Sequence, residues 1–379
     1  MEQSKRGFGL MKRYGFLYLV LKSFIRLGLY FYFRVRKIFG LDKIPQDRPV
    51  LLLSNHQNAL LDVLLITSRY PRPMHYLARS DVFKRKWIGA FLRNLQMHPA
   101  FRLRDGYEKL SGNYKTFEEV AEVLRQREHV LLFPEASHCL DRRVRPLNKG
   151  FTRLLVSTLK EQPDLDLVIV PVGQNYTAPL QAGESSHIHI GEPLDLQAWI
   201  KNNKEEEENF LESRRFARAL TLEVEERLKD LTTHLAPFQH YEDHLQTLES
   251  LDYDFRIPLR WESEEPPESA LKGEVVSPIA RSAFRLLNAP FILFWKKVLK
   301  PRVPETEFTS TFRFAFALLG YSFSFAALFF IVGVGMGQYR LYFGFTLLFL
   351  LLNRVFVRMG ITQKRPAADR VAEPEDQPH

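Results

Sequence analysis

The sequence predicts an α/β domain with a mostly parallel central sheet flanked by helices, together with an N-terminal interfacial amphipathic helix and a C-terminal transmembrane helical hairpin. Short apolar segments alternate with helix-like stretches between residues 46 and 236, which is typical of parallel strands joined by helical crossovers. Residues 314–336 form an apolar run without charged residues, long enough to span a bilayer as a helix. Residues near the N-terminus combine apolar side chains with regularly spaced basic ones.

Composition and net charge indicate which kinds of molecule the protein binds. The chain has 379 residues, a formal net charge of +9 and a pI of about 9.4, which indicates contact with nucleic acid, an anionic membrane or an anionic substrate. Many of the 31 phenylalanines lie in the two terminal regions rather than interleaved with Arg and Lys in an RNA-binding pattern, which favours a membrane over nucleic acid. Cys139 is the only cysteine, so no intrachain disulfide can form, as in a reducing compartment.

The N-terminal segment is assigned to residues 1–45, with one helix predicted over residues 10–39. Five basic residues fall within an arc of about 120° on that helix, opposite an apolar arc; they are Lys12, Lys22, Arg26, Arg34 and Lys37. This pattern predicts a helix that lies in the membrane interface. The alternative is a helix packed on the domain with its charged face in solvent. No small-residue cleavage site follows the apolar stretch, so a secretory signal is not expected.

Residues 46–236 are predicted to form the α/β domain. Strands are expected at residues 49–55, 74–79, 129–135 and 165–173, and helices at residues 59–69, 81–94, 107–127, 149–161 and 203–235. In such sheets the chemistry collects at the carboxyl ends of the strands.

The C-terminal part is predicted to attach the domain to a membrane. Residues 237–305 are expected to be a linker that is polar and rich in Pro and Glu, with a short apolar segment that can lie in the interface. Residues 306–360 are expected to form the hairpin, whose second run spans a bilayer only if Arg340 and Arg354 reach the interfaces. Basic flanks place the catalytic domain on the cytoplasmic side, a buried soluble hairpin being the alternative. Residues 361–379 are expected to be disordered.

Four segments follow or end predicted strands and should share one edge of the sheet. Together they offer an imidazole from His56, carboxylates from Asp62 and Glu135, and a set of cations: Arg102, Arg104, Arg145 and Lys149. A neutral His beside a carboxylate can act as a general base, and clustered Arg and Lys can hold a phosphate-bearing acceptor. Each residue alone also has a structural explanation, such as a turn carboxylate or a helix-start Asp.

The chemistry that fits this set is direct transfer. No Gly-x-Ser-x-Gly elbow is present, so a covalent acyl-enzyme is not indicated. His56 would instead take a proton from a substrate hydroxyl, which attacks an activated acyl group. No metal site is expected, because the His and carboxylate residues lack a compact ligand spacing.

In their order, the four segments resemble the blocks of the glycerolipid acyltransferase family, which includes lysophosphatidate and glycerol-3-phosphate acyltransferases (PlsC-like domains). The segments are NHQNALLD from residue 55, HPAFR from residue 98, FPEASH from residue 133 and VPVG from residue 170. The resemblance covers about residues 38–230.

The resemblance implies specific roles. His56 and Asp62 would form the catalytic dyad, and Arg102 would bind the acceptor's phosphate. The pocket would be shaped by Glu135 and by other substrate-binding candidates, namely Asn55, Arg104, Ala136, Ser137, His138, Arg145 and Lys149. Pro171 would serve acyl-donor binding or the core. The donor would be an acyl thioester of coenzyme A or of acyl carrier protein, with no metal or organic cofactor.

Two departures from the family pattern carry predictions. Five residues separate His56 from Asp62 where the family has four, so residues 57–59 should be loop and the helix should start near Leu60. Some fungal glycerol-3-phosphate acyltransferases are similar in this longer spacing, which makes glycerol-3-phosphate the second acceptor. Ala136 stands where the family has Gly, so a positive φ is not expected at that turn.

The predicted function is therefore a membrane-bound O-acyltransferase acting on lysophosphatidate or a related lysolipid in phospholipid biosynthesis. Its partners would be membrane lipids, a phosphate-bearing glycerolipid acceptor and the acyl donor, without nucleic acid. Its location would be a bacterial inner membrane or another cell membrane. The alternatives are a glycerol-3-phosphate acyltransferase, a hydrolase that passes the acyl group to water, and a catalytically silent lipid-binding membrane protein.

Overall fold

A computed structural model describes residues 16–100, 107–204, 209–263 and 275–362 of the chain. The strands of its main sheet are β1 (Arg36–Phe39), β2 (Val50–Ser54), β3 (His75–Arg79), β4 (Met97–Ala100), β5 (His129–Leu132), β6 (Val168–Tyr176), β7 (Ser186–Ile190) and β8 (Leu194–Asp195). A separate parallel pair consists of β9 (Thr233–Leu235) and β10 (Leu259–Trp261). The helices are α1 (Phe16–Tyr32), α2 (Leu60–Thr67), α3 (Lys86–Asn94), α4 (Tyr107–Arg125), α5 (Gly150–Glu161), α6 (Leu196–Asn203), α7 (Arg214–Lys229), α8 (Tyr241–Ser250), α9 (Pro278–Leu287), α10 (Ala289–Phe294), α11 (Thr309–Leu328) and α12 (Tyr339–Met359).

The main sheet confirms the predicted α/β class. Its strand order is β1-β7-β6-β2-β5-β3-β4. The short strand β8 pairs with the first residues of β6, on the side away from β2. β2, the central strand, pairs in parallel with both β5 and β6, and β3 pairs in parallel with β5 and β4. β7 runs antiparallel to β6. The carboxyl ends of β2, β5, β6, β3 and β4 therefore lie along one edge, which we call the active edge.

Two apolar layers cover the two faces of the sheet. Along β2, Leu51 and Leu53 enter the layer formed with α4, α5 and α7, while Val50 and Leu52 enter the layer formed with α1 and α2. This alternation is the two-residue period of a strand. Because both faces are covered, β2 is a continuous apolar run rather than an alternating one.

Several boundaries differ from the sequence prediction. The N-terminal helix ends at Tyr32, and residues 36–39 are strand β1 rather than helix, because their backbone pairs with β7 from Arg36 opposite Ser186. The predicted helix over residues 203–235 is replaced by α7 followed by strand β9. α2 begins at Leu60, as predicted from the spacing.

The first part of the expected linker is folded. α8 and β10 surround a small apolar cluster, which we call the accessory cluster, formed by Tyr241, Leu245, Leu248, Tyr253, Phe255, Trp261 and Leu235 of β9. β10 pairs with β9, which follows α7 of the main domain. The aromatic residues of this stretch supply enough apolar surface to order it, although its polar composition had indicated irregular structure.

The C-terminal helices form an apolar hairpin. Two segments, Thr306–Gly335 and Tyr339–Met359, are long and apolar enough to cross a membrane. α9 packs along α12, and Asn288 at its end donates to Asn353 Oδ1 at 2.9 Å. The start of α11 is tied to the α/β domain, because Ser310 Oγ donates to Pro179 O at 2.5 Å and Arg313 Nη1 to Leu180 O at 2.9 Å.

Candidate active site

The end of β2 is fixed to β6 by Asn55. Its Nδ2 donates to Gln174 O at 3.0 Å, and Gln174 N donates to Asn55 Oδ1 at 2.7 Å. Both side-chain polar atoms of Asn55 are thus used within the sheet, and the residue is buried. Asn55, a candidate for substrate binding, instead lies where it sets the position of His56.

A short loop carries the chain from His56 to Asp62. Residues 57–59 lie outside the helix, and Ala59 adopts φ 46° directly before α2 begins at Leu60. Asp62 therefore lies in the first turn of α2 and reaches back to the imidazole, with 2.7 Å between His56 Nδ1 and Asp62 Oδ2. The six-residue offset is compatible with a dyad because half of it is loop.

Asp62 is fully buried and accepts hydrogen bonds at both oxygens. Asn58 N donates to Oδ2 at 2.8 Å, and the Tyr176 hydroxyl donates to Oδ1. A carboxylate held in this way accepts a hydrogen bond from His56 and favours the tautomer that carries a proton on Nδ1. The other ring nitrogen, Nε2, is then the one that can take a proton.

The His56 ring is held by aromatic neighbours. It stacks on Phe133 with centroids 4.1 Å apart and 20° between the planes, and it meets the His138 ring nearly at right angles at 5.7 Å. Phe133 follows β5, so two neighbouring strands of the active edge fix the imidazole. Packing on one side and the Asp62 contact on the other leave little rotational freedom.

The loop after β5 is organised by an ion pair between two predicted site residues. Arg145 Nε and Nη2 donate to Glu135 Oε2 at 3.0 and 2.7 Å, and Arg145 Nη1 donates to Ser137 Oγ at 2.7 Å. Burial raises the pKa of Glu135, and the Arg145 cation opposes that rise. The charge of Arg145 is thereby matched within the loop rather than left for an anionic substrate.

The prediction that Ala136 avoids a positive φ is wrong. Its φ is 60°, and its N–H donates to Phe133 O at 3.0 Å, closing a tight turn. The turn is therefore left-handed at this position even with a Cβ present. An alanine in this region costs about 1–2 kcal/mol.

The remaining predicted site residues fall into three groups. Lys149 is exposed at the start of α5. Pro171 is buried within β6 opposite Leu53, which favours its structural interpretation. Arg102 and Arg104 lie outside the described residues.

His138 joins the active edge to the hairpin. Its Nε2 lies 2.9 Å from Glu305 Oε2, and its ring meets Phe308 edge-on at 4.7 Å. Burial lowers the pKa of His138, while the Glu305 contact opposes that effect. Glu307 brings a third ligand atom within 4.8 Å of the others. His138 and Glu305 contact each other directly. The expectation of no metal stays a prediction.

Two residues behind the dyad were missed. Tyr176 ends β6, and Glu184 is fully buried, where Asn58 Nδ2 donates to its Oε1 at 3.2 Å. Burial raises the pKa of Glu184 well above its ordinary value, which favours the neutral carboxyl. The period of β6 carried a signal for Tyr176, since Val170, Val172 and Tyr176 all enter the layer on the α2 face. Nothing local marks Glu184.

In sequence, this chain is similar to known acyltransferases. Residues 35–174 match the family model described as Acyltransferase. The chain is 23% identical over 204 residues to a 1-acyl-sn-glycerol-3-phosphate acyltransferase of Bacillus subtilis (strain 168), covering 52% of this chain and 89% of that protein. The crystal structure of the 1-acyl-sn-glycerophosphate (LPA) acyltransferase PlsC from Thermotoga maritima superposes with a TM-score of 0.39 at 19% identity, covering 60% of this chain and 82% of that one.

Proposed function

We propose that this chain, which carries the acyltransferase domain of the glycerolipid acyltransferase family, transfers a fatty acyl group from a thioester to the hydroxyl of lysophosphatidate or a related lysolipid. The family match over residues 35–174 and the Bacillus subtilis relative support the reaction class and the acceptor. The observation that carries the mechanism is the contact of His56 Nδ1 with the buried Asp62 carboxylate.

The proposed reaction needs one proton relay. His56 Nε2 takes the proton of the acceptor hydroxyl as its oxygen attacks the thioester carbonyl carbon, and Asp62 stabilises the imidazolium that forms. The tetrahedral intermediate then expels the thiolate, which takes the proton from His56 and leaves as a thiol. An ester C–O bond replaces the C–S bond, and the enzyme returns to its starting state.

The acceptor's phosphate needs a cation that is not already paired. Arg145 is committed to Glu135 and Ser137, so its proposed role is to order the loop. Lys149 is exposed and follows the same loop. With Arg102, the residue that the family resemblance assigns to phosphate, it is the proposed binding group.

Membrane attachment through the hairpin is part of the proposal. The two apolar segments support it, as does the apolar surface that α1 exposes through Phe16, Leu17, Val20, Leu27 and Tyr30. The basic flanks of the hairpin would place the catalytic domain on the cytoplasmic side. A lysolipid acceptor would then be available in the plane of the same membrane.

A donor-by-acceptor assay tests the function. Protein purified in detergent is given acyl-coenzyme A or acyl carrier protein thioester, with lysophosphatidate, glycerol-3-phosphate or no acceptor. Ester formed on lysophosphatidate supports the proposal, and ester formed only on glycerol-3-phosphate would reassign the acceptor. Free fatty acid released equally with and without acceptor would identify a hydrolase. No product from any pair would refute acyl transfer.

His56→Ala tests the mechanism, with His244→Ala as its matched control. Both rings stack flat on an aromatic side chain, His244 on Trp261 at 4.0 Å, but His244 lies beside the accessory cluster. We expect transfer to be abolished only by the change at His56, while both variants remain folded by circular dichroism. Equal activity of the two variants would remove His56 from the mechanism.

A further inference from the structure

Basic side chains from four elements meet where α1, β1, the end of α2 and α12 join. Arg69 Nη1 donates to Arg36 O at 3.1 Å, and Arg354 Nη1 donates to Tyr30 O at 2.7 Å. We name this set the junction cluster; its members are Lys22, Arg26, Arg36, Arg69 and Arg354. Arg36 opens β1, three strands from β2 in the sheet order, which at about 4.8 Å per strand is about 14 Å from the strand that carries His56.

The junction cluster has no acidic counterpart among the described residues. Ion pairs occur elsewhere on the described surface, but the described side-chain hydrogen bonds of these cations go to backbone carbonyls, as when Lys22 Nζ donates to Tyr70 O at 2.6 Å. Arg36 Nη1 and Arg354 Nε are buried and lack a hydrogen-bond partner in the described chain. Buried guanidinium donors without acceptors are unfavourable, so the site is incomplete without an anion.

Burial and mutual repulsion lower the pKa values of basic groups in the junction cluster. Burial, and then the nearby Arg26, lower the pKa of Lys22 to about 8. Burial, followed by the charges of Arg69, Arg26 and Arg354, lowers the pKa of Arg36 to about 10. A bound anion would reverse these effects, because an opposite charge favours the charged form of each group.

The surroundings of the cluster are apolar and exposed. On α1, Leu27 and Tyr30 are exposed, and on α12, Leu351 and Val355 are exposed on either side of Arg354 in sequence. A free anion would use only the cations, whereas a lipid would also place its chains along these side chains. Ionisable residues in a membrane helix usually mark a functional contact.

We infer that the junction cluster binds the phosphate group of an anionic membrane phospholipid, at a site separate from the dyad. The guanidinium groups match the geometry of phosphate oxygens, and the exposed side chains of α1 and α12 would contact the acyl chains. Such a site would hold α1 against the hairpin and fix the catalytic domain at the bilayer surface. It depends on the proposed membrane attachment but not on acyl transfer.

Lipid-dependent thermal unfolding tests this inference. Full-length protein in neutral detergent is titrated with phosphatidylglycerol, phosphatidylcholine or inorganic phosphate, and the unfolding midpoint gives an apparent affinity. The test variant is Arg26→Gln/Arg69→Gln, whose two positions are the exposed members of the cluster. The control is Arg214→Gln/Arg218→Gln, which removes two exposed charges from α7 on the other face of the sheet.

We expect phosphatidylglycerol to stabilise the wild type and the control far more than phosphatidylcholine does. In the test variant its apparent affinity should fall about 30-fold, the change expected for losing two basic residues beside an anionic lipid. Without lipid, the test variant should unfold no earlier than the control, since repulsion has been removed.

Three outcomes would overturn the inference. The first is an undiminished response of the test variant to phosphatidylglycerol. The second is equal stabilisation by inorganic phosphate, which would identify a free-anion site. The third is a lipid-free midpoint well below the control, which would give the cluster a purely structural role. Because no acyl transfer is measured, failure here leaves the catalytic proposal untouched.

Discussion

Replacing Tyr176 with Phe should slow acyl transfer without weakening substrate binding. The change removes one buried hydroxyl that donates to Asp62 Oδ1 and leaves the ring in the core. Asp62 keeps its contacts with His56 and Asn58, so the dyad is loosened rather than destroyed. Tyr176 lies behind the carboxylate, away from the ring nitrogen that faces the acceptor, and acts as a positioning residue.

The size of the effect follows from the lost hydrogen bond. A bond to a charged group contributes about 1.5–3 kcal/mol, which corresponds to about 10- to 150-fold in rate if all of it is expressed in the transition state. We expect kcat to fall about 10- to 100-fold while KM changes less than about 2-fold. For comparison, replacing the triad Asp by Asn in serine proteases lowers kcat about 10⁴-fold.

Steady-state kinetics of four variants provide the assay: Tyr176→Phe, a control, Asp62→Asn and the double variant. Tyr253→Phe is the matched control, because its buried hydroxyl donates to the neutral carbonyl of Ile257 at 3.1 Å, in the accessory cluster. Asp62→Asn completes a double-mutant cycle with Tyr176→Phe. If Tyr176 acts through Asp62, adding Tyr176→Phe to the Asp62→Asn variant should cost little more. Equal loss in the Tyr253 control, a change confined to KM, or additive losses in the cycle would each refute the reasoning.

Three stability predictions concern the surroundings of the dyad. Ala136→Gly should raise the free energy of unfolding by about 0.5–1 kcal/mol in urea, because Gly adopts the positive φ without strain. Burial raises the pKa of Glu184 in the folded protein well above 4.5, its ordinary value in the unfolded chain. Stability should therefore fall as the pH rises from 4.5 towards the raised pKa, by up to about 1.4 kcal/mol per pH unit, and Glu184→Gln should remove this slope from unfolding curves. Arg145→Met should lower stability by about 3 kcal/mol by leaving a buried charge, and adding Glu135→Gln should recover most of it.

The sequence predicted the site well where it depends on strand ends. The positions of His56 and Glu135 follow from parallel strands that end at one edge, a rule of the fold class. Pro171 lies within β6 rather than at its end. The loop at residues 57–59 was also predictable, because a six-residue offset turns about 240° on one helix and must be interrupted for Asp62 to reach His56.

The sequence did not predict features that depend on contacts between residues far apart in the chain. Glu184 lies 126 positions from its partner Asn58, and no local pattern links the two residues. Arg145 was a candidate for substrate binding because it follows a strand end, and the sequence does not show that it pairs with Glu135. Residues 36–39 were assigned to the helix because their side chains continue its pattern, but backbone pairing with β7 overrides that preference.

No sequence pattern indicated that the hairpin contacts the active edge. This contact connects the proposed acyl transfer with the proposed membrane attachment. His138 contacts the His56 ring on one side and Glu305, the residue leading into the hairpin, on the other. Ser310 and Arg313, in the first turns of α11, hold the loop at residues 179–180. In the proposed orientation the dyad therefore lies at the level where α11 leaves the bilayer. An acceptor anchored by its acyl chain needs its hydroxyl only at that level, so it can react without leaving the membrane.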